Sequence, residues 1–255
     1  MCTFACVFMV AVAADADGSP ANLRIETAHG PVQLWAPDKY DAATAGVVVY
    51  VHGFYTTVDR AWHRHRLPRQ FKESGINALF IACAAPRGPR DDVKWNSLDQ
   101  LLDVVSEHIA IPRGRIIVVG HSGAHRTLSR WLPSAQIDTV VLVDAFFGTD
   151  DTVRTWLDAD PEHRLIDVAA DARRWTDALH AELPETLLFE RFPPAKAGVL
   201  RGARDARVVY VRSQHDHMSL VTRGTVIPML LRALRVPMVE HASRNAPIRA
   251  LPAKH

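Results

Sequence analysis

Cysteine is scarce in this chain, with 3 in 255 residues. Two of them, Cys2 and Cys6, sit in an apolar N-terminal run, so removal of that run would leave Cys83 alone and excludes a disulfide framework. Cys83 closes the apolar stretch Ala78 to Ala82, a setting for a small buried hydrophobe rather than a reactive thiol. Net charge is nearly absent as well: the formal value is +2 with 13 histidines neutral, too weak a field to make nucleic acid the main partner. The body of the chain has no apolar run long enough to cross a bilayer as a helix, so no integral membrane span is expected. A metal-ligand cluster is missing too. His215 and His217 alternate on an extended segment, but two ligands do not make a site and nothing nearby in sequence completes one. His63 and His65, two apart on a helix, point in different directions and are expected on a solvated face. No metal or other cofactor is therefore expected, and without repeats or linkers the body should form one domain.

The chain is 48% hydrophobic and 23% charged, the make-up of an ordinary soluble protein with one large core. The N-terminus differs from the rest. Residues 3–14 (TFACVFMVAVAA) have the length of a signal-peptide core, and Ala14-Asp15-Ala16 supplies a small-x-small cleavage pattern. Residues 1–16 are therefore read as a signal peptide, which implies a secreted or periplasmic protein. From Pro237 the chain turns basic, proline-containing and aperiodic, so residues 237–255 read as a flexible tail.

Between these ends lie eight β-type runs. Leu23 to Thr27 and Val32 to Ala36 flank the turn-rich Ala28-His29-Gly30-Pro31 and form an edge hairpin. Gly46 to Val51, Asn77 to Ala82, Ile116 to Val119, Thr139 to Val143, the weaker Leu165 to Ala170, and Arg207 to Arg212 follow, several apolar enough for strands buried on both faces. Helical segments alternate with them. Val58 to Ser74 is a surface helix interrupted near Pro68, and Ser97-Leu98-Asp99-Gln100 has capping-box spacing ahead of Leu101, Leu102, Val105 and Ile109. Further helices are expected after Ser122, over Asp151 to Asp158, over Ala172 to Leu183 and over Thr225 to Leu234. This alternation predicts an α/β fold with a mostly parallel eight-stranded sheet and helices on both faces, in one domain over residues 21–236.

The chemistry concentrates at Ile116 to Arg130. The apolar strand Ile116-Ile117-Val118-Val119 ends in Gly120-His121-Ser122-Gly123-Ala124 and leads into a helix. A strand–turn–helix bend this sharp strains its central serine and requires small residues two before and two after it, here Gly120 and Ala124. The bend exposes the Ser122 hydroxyl at the strand's end, with the positive end of the following helix aimed at the same point.

In these residues the sequence resembles the α/β-hydrolase superfamily, whose nucleophile elbow has the form G-x-S-x-G; Ala124 replaces the last glycine and keeps the required smallness. The resemblance covers roughly residues 21–236 and implies a serine esterase or lipase-like hydrolase. By the same resemblance, His52-Gly53-Phe54-Tyr55 after the third strand is the oxyanion loop, with the backbone N–H groups of Phe54 and Gly123 as donors and His52 ordering the loop by hydrogen bonds. The superfamily's chain order is serine, acid, histidine. His217 is the preferred base because its loop lets the ring fold back, with His215 close behind. For the acid, Asp144 ends a fully apolar strand where a charge is costly without a partner, and Asp171, after the next strand, stays open as the alternative. The Cys83 to Asn96 loop borders the site in this architecture, which makes Arg87, Arg90 and Trp95 candidates for shaping substrate access.

The expected activity is cleavage of an acyl ester or amide bond by a Ser122–His217–Asp144 triad, acting on a small-molecule or lipid-like acyl substrate. The same residues would serve acyl transfer to an acceptor other than water. A binding protein on the same fold would have a broken triad, whereas candidates for every role are present. Export carries its own test: the mature protein recovered from medium or periplasm should begin at Asp17 on N-terminal sequencing, and a start at Met1 would refute cleavage.

Overall fold

The computed structural model describes residues 22–148 and 151–239, so the signal segment and most of the basic tail lie outside the described residues. Strands β1 (Asn22–Ile25) and β2 (Val32–Trp35) form the edge hairpin, with Gly30 at φ 101° closing its turn. The remaining strands are β3 (Gly46–Val51), β4 (Ala78–Cys83), β5 (Ile116–His121), β6 (Ile137–Val143), β7 (Arg164–Ala169), β8 (Leu187–Phe189) and β9 (Val208–Arg212). They make one sheet in the order β1-β2-β4-β3-β5-β6-β7-β9-β8, parallel except at the two junctions of β2.

Among the described residues the sheet has nine strands, where the sequence predicts eight. The extra one, β8, is three residues at the far edge, half-exposed and too short to carry a periodicity. By contrast β7, the weak run, is buried throughout and lies inside the sheet. It reads as weak because Arg164 and Asp167 interrupt its apolar residues.

Among the described residues eight helices cover the two faces: α1 (Val58–Arg64), α2 (Leu67–Ser74), α3 (Leu98–Ser106), α4 (His125–Trp131), α5 (Thr152–Ala159), α6 (Arg173–Glu182), α7 (Ser219–Thr222) and α8 (Val226–Arg232). Alternation along the central strands feeds both cores. In β3, Val48 and Tyr50 pack with Trp62, Phe71, Leu220 and Leu230, whereas Val47, Val49 and Val51 pack on the side of Leu98, Leu128 and Trp156. On the first face Phe71 stacks on Phe80 at 4.2 Å between ring centroids. The helix over 58–74 is interrupted near Pro68 as expected, at Arg66 (φ 52°). Pro68 sits in the first turn of α2, where its missing N–H would have had no partner, so the proline opens a helix instead of interrupting one.

Two further expectations are corrected. His65 is buried, not solvated: its ring turns inward at the end of α1 within 3.4 Å of the Tyr50 hydroxyl, and burial lowers its pKa to about 4. Residues 237–239 belong to the fold rather than the tail, because Asn77 N donates to Pro237 O at 2.7 Å and Val239 N to Gly75 O at 2.8 Å. Cys83 is buried as expected, and burial pushes its thiol up to about 12. No helix among the described residues is long and apolar enough to cross a membrane.

The helix behind the elbow is anchored by Trp131, fully buried, whose Nε1 donates to Trp95 O at 3.1 Å. Trp95 is likewise buried, and it supports α4 rather than shaping access to the site. Trp131→Ala should lower unfolding stability by about 3–5 kcal/mol, read as a shift of the denaturant midpoint at unchanged m-value.

Candidate active site

The parallel strands end together along one rim, and the polar residues of interest stand on it. β5 leads directly into a single 3-10 turn, Ser122–Ala124, and then α4. Ser122 has φ 53°, a left-handed conformation that an ordinary side chain adopts only when its surroundings impose it. Here crowding imposes it. A side chain at Gly120 would lie 2.9 Å from Leu128 and 3.1 Å from Ala124, and a Cβ at Gly53 would lie 2.8 Å from that of Ser122. The loop after β3 can therefore touch the elbow only because position 53 is glycine. The Phe54 ring in turn covers Gly123, where a Cβ would fall 2.4 Å from it.

The loop after β3 is fixed from below by His52. Its Nδ1 lies 2.7 Å from Gly53 O, and its Nε2 accepts from Ala85 N at 3.1 Å. A donor at Nε2 and a carbonyl at Nδ1 define the neutral Nδ1–H tautomer, and burial lowers the pKa in keeping with that. Tyr55 continues the loop at φ 63°, its N–H donated to Arg87 O at 2.7 Å. The main-chain atoms of Arg87 thus serve the loop's shape. Neither the Phe54 nor the Gly123 amide donates to another described residue.

Asp144 follows β6 and is completely buried, also in a left-handed conformation at φ 50°. Its carboxylate accepts the amides of Ala170, Asp171 and Ala172 at 2.9, 3.0 and 2.8 Å, all from the turn after β7. It also takes Nδ1 of His217 at 2.6 Å, delivered by the loop after β9. Burial opposes ionisation of Asp144, but these four donors outweigh it and hold the carboxyl below the usual range. The bond to Asp144 in turn raises the His217 pKa against the opposing effect of burial. His217 lies with its ring centroid 4.6 Å from that of His121, the residue before Ser122, so the imidazole stands over the elbow. Among the described residues no hydrogen bond joins it to the Ser122 hydroxyl. That bond is commonly long before substrate binds.

The alternatives separate in space. His215 stacks on Phe192 at 5.9 Å instead of pairing with Asp144. Asp171 is exposed and gives Asp144 its amide, while its carboxylate lies near enough to add to the raising of His217. Asp144, Asp171 and His217 also offer ligand atoms within 4.8 Å of one another, the spacing of a metal site. The Nδ1–Oδ2 bond and the three amides already engage the Asp144 oxygens, so this set is better suited to holding an imidazole than an ion.

His121 flanks the serine and is a weak candidate for the base, and its place beneath His217 is what the sequence does not disclose. Its ring is buried, its Nε2 has no partner among the described residues, and burial followed by the neighbouring His217 lowers its pKa to about 3. It is therefore a neutral support under His217. Phe147 and Trp175 escaped the sequence reading: Phe147 lies in the irregular loop after β6, and Trp175, within the expected helix, carries no sequence sign of facing the site.

A doubly wound parallel sheet bearing a strained serine at a strand–helix bend, with a His–Asp pair from later loops, defines an α/β-hydrolase-type fold. The sequence profile of the alpha/beta hydrolase family matches residues 48–253, and the chain belongs to that family. No curated protein matches the sequence. The fold resembles the feruloyl esterase module of Clostridium thermocellum, solved as a serine mutant complexed with sinapinate, at TM-score 0.57, 10% identity, and 89% and 91% coverage of this chain and that one. It also resembles the fluorophosphonate-binding serine hydrolase F of Staphylococcus aureus at TM-score 0.54, 12% identity, and 84% and 97% coverage. An arylesterase is similar at TM-score 0.51, 13% identity, and 84% and 85% coverage. The architecture is that of esterases and serine hydrolases.

The electrostatics can be read directly. In NMR titrations of the imidazole carbons, His217 should titrate above the ordinary histidine value of about 6.5. In Asp144→Asn that titration should move downward, while His121 stays neutral throughout; an unmoved His217 would refute the coupling.

Proposed function

We propose that the chain is a serine hydrolase that cleaves carboxylic ester bonds of a small-molecule or lipid-like acyl substrate. The observation that carries this reading is the 2.6 Å bond between His217 Nδ1 and the buried Asp144 carboxylate, made beside the residue that precedes Ser122. With Nδ1 donating to Asp144, His217 keeps a lone pair on Nε2, as a general base requires.

In the proposed mechanism Ser122 Oγ attacks the acyl carbonyl and passes its proton to His217 Nε2. Asp144 stabilises the resulting imidazolium without taking the proton. The carbonyl oxygen becomes an oxyanion beside the Phe54 and Gly123 amides, which have no competing acceptor among the described residues. Collapse of the tetrahedral intermediate expels the alcohol, protonated by His217, and leaves an acyl-Ser122 ester. His217 then takes a proton from water, the hydroxide adds to the acyl carbon, and breakdown frees the acid and returns the proton to Ser122.

A fluorophosphonate probe should label the wild-type protein and fail to label Ser122→Ala; labelling of neither would overturn the assignment. The base must be neutral to act, and its pKa is raised, so kcat/KM should rise with pH through a limb lying above an ordinary histidine's. Asp144→Asn should lower kcat by a factor on the order of 10³ to 10⁴, because the Asn amide disfavours the tautomer that leaves Nε2 free.

A further inference from the structure

Of the six tryptophans, Trp35, Trp62, Trp95, Trp131 and Trp156 are buried in the core, and Trp175 alone is half-exposed. It ends a row of rings that starts at the nucleophile. Phe54 lies against Gly123, next to Ser122. His125, whose Nδ1 is 3.2 Å from Ser122 O, is edge-on to Phe54 at 6.1 Å between centroids. Phe147 follows at 5.3 Å from His125, and Trp175 at 5.6 Å from Phe147, edge-on at 69°. The four rings come from four different segments: the loop after β3, the start of α4, the loop after β6 and the start of α6.

All four are partly exposed, so the row is a continuous aromatic ledge open to solvent. A contiguous apolar surface of this kind at a reactive centre marks a contact surface. Its outer end is built deliberately. Gly148, at φ 76°, leaves the space that the Trp175 indole occupies, since a Cβ there would fall 2.1 Å from the ring. The guanidinium of Arg174 stacks 3.8 Å from the indole centroid and fixes its orientation.

We propose that this ledge is a substrate subsite selecting esters that carry a planar aromatic ring. Such a ring meets edge-to-face and offset partners along the row, an arrangement a flexible alkyl chain cannot reproduce. The proposal rests on the hydrolase reading for its connection to turnover, and the ring can reside on the acyl or the alcohol side of the ester.

The test measures kcat/KM on two matched pairs: methyl 3-phenylpropanoate against methyl hexanoate, and benzyl acetate against butyl acetate. At least one aromatic member should be preferred about tenfold or more, and the pair concerned tells which side of the ester the ledge receives. Trp175→Leu, Phe147→Leu and Gly148→Ala should each reduce that ratio toward one. Equal rates within both pairs, or a preference that survives all three substitutions, would overturn the subsite.

A binding arm separates this inference from the hydrolase reading. If the protein hydrolyses none of the four esters and resists fluorophosphonate, the catalytic reading fails. Calorimetric titration of the wild-type protein with 3-phenylpropanoate and with benzyl alcohol then decides the ledge alone, which requires binding that Trp175→Leu weakens about tenfold. No binding, or binding unaffected by Trp175→Leu, refutes it. Light scattering closes the remaining route: a wild-type dimer that Trp175→Leu converts to monomer would make the ledge a self-association face and overturn the proposal.

Discussion

A carboxylate with no exposed surface must collect its hydrogen bonds from donors that cannot move away, and Asp144 is such a group. Three of its donors are consecutive amides, 170 to 172, so the turn leaving β7 must wrap around the end of β6. The fourth is an imidazole from beyond β9, which brings a loop 73 residues away in sequence back to the same rim. One buried charge thereby ties together the ends of three strands. Replacing it with an apolar group would leave three amides orphaned, so the site and the local fold stand or fall together.

Most of this was legible in the sequence for a simple reason. Strands β3, β4 and β6 are nearly continuous apolar runs, and only a sheet covered on both faces gives such runs a place. Ser122 announced itself through the small residues around it, which answer to a steric need that holds whatever the surroundings. The preference for Asp144 came from the cost of a charge at the end of an apolar strand, and the structure places four donors around that carboxylate.

What stayed hidden depends on tertiary contact. His65 sits in a run of basic residues that looks solvated, and only packing under Tyr50 turns its ring inward. β8 is three residues whose strand character comes from pairing with β9. His121 carries no signature separating a support for another ring from a loop histidine. Trp175 is ordinary in sequence and becomes distinctive only because the other five tryptophans are buried. The interruption near Pro68 was legible, whereas the proline's place in the first turn of a second helix was not.

The histidine wedge beneath the β3 loop has a consequence for how the protein meets its ligand. His52 spans from Gly53 O to Ala85 N, bracing the loop against the chain that leaves β4. In the proposed mechanism the amides facing the elbow are thus aligned beforehand, and little ordering entropy is left to be lost when a carbonyl arrives. In that mechanism recognition by this loop is rigid, because Phe54, whose ring covers Gly123, rides on the segment that His52 braces.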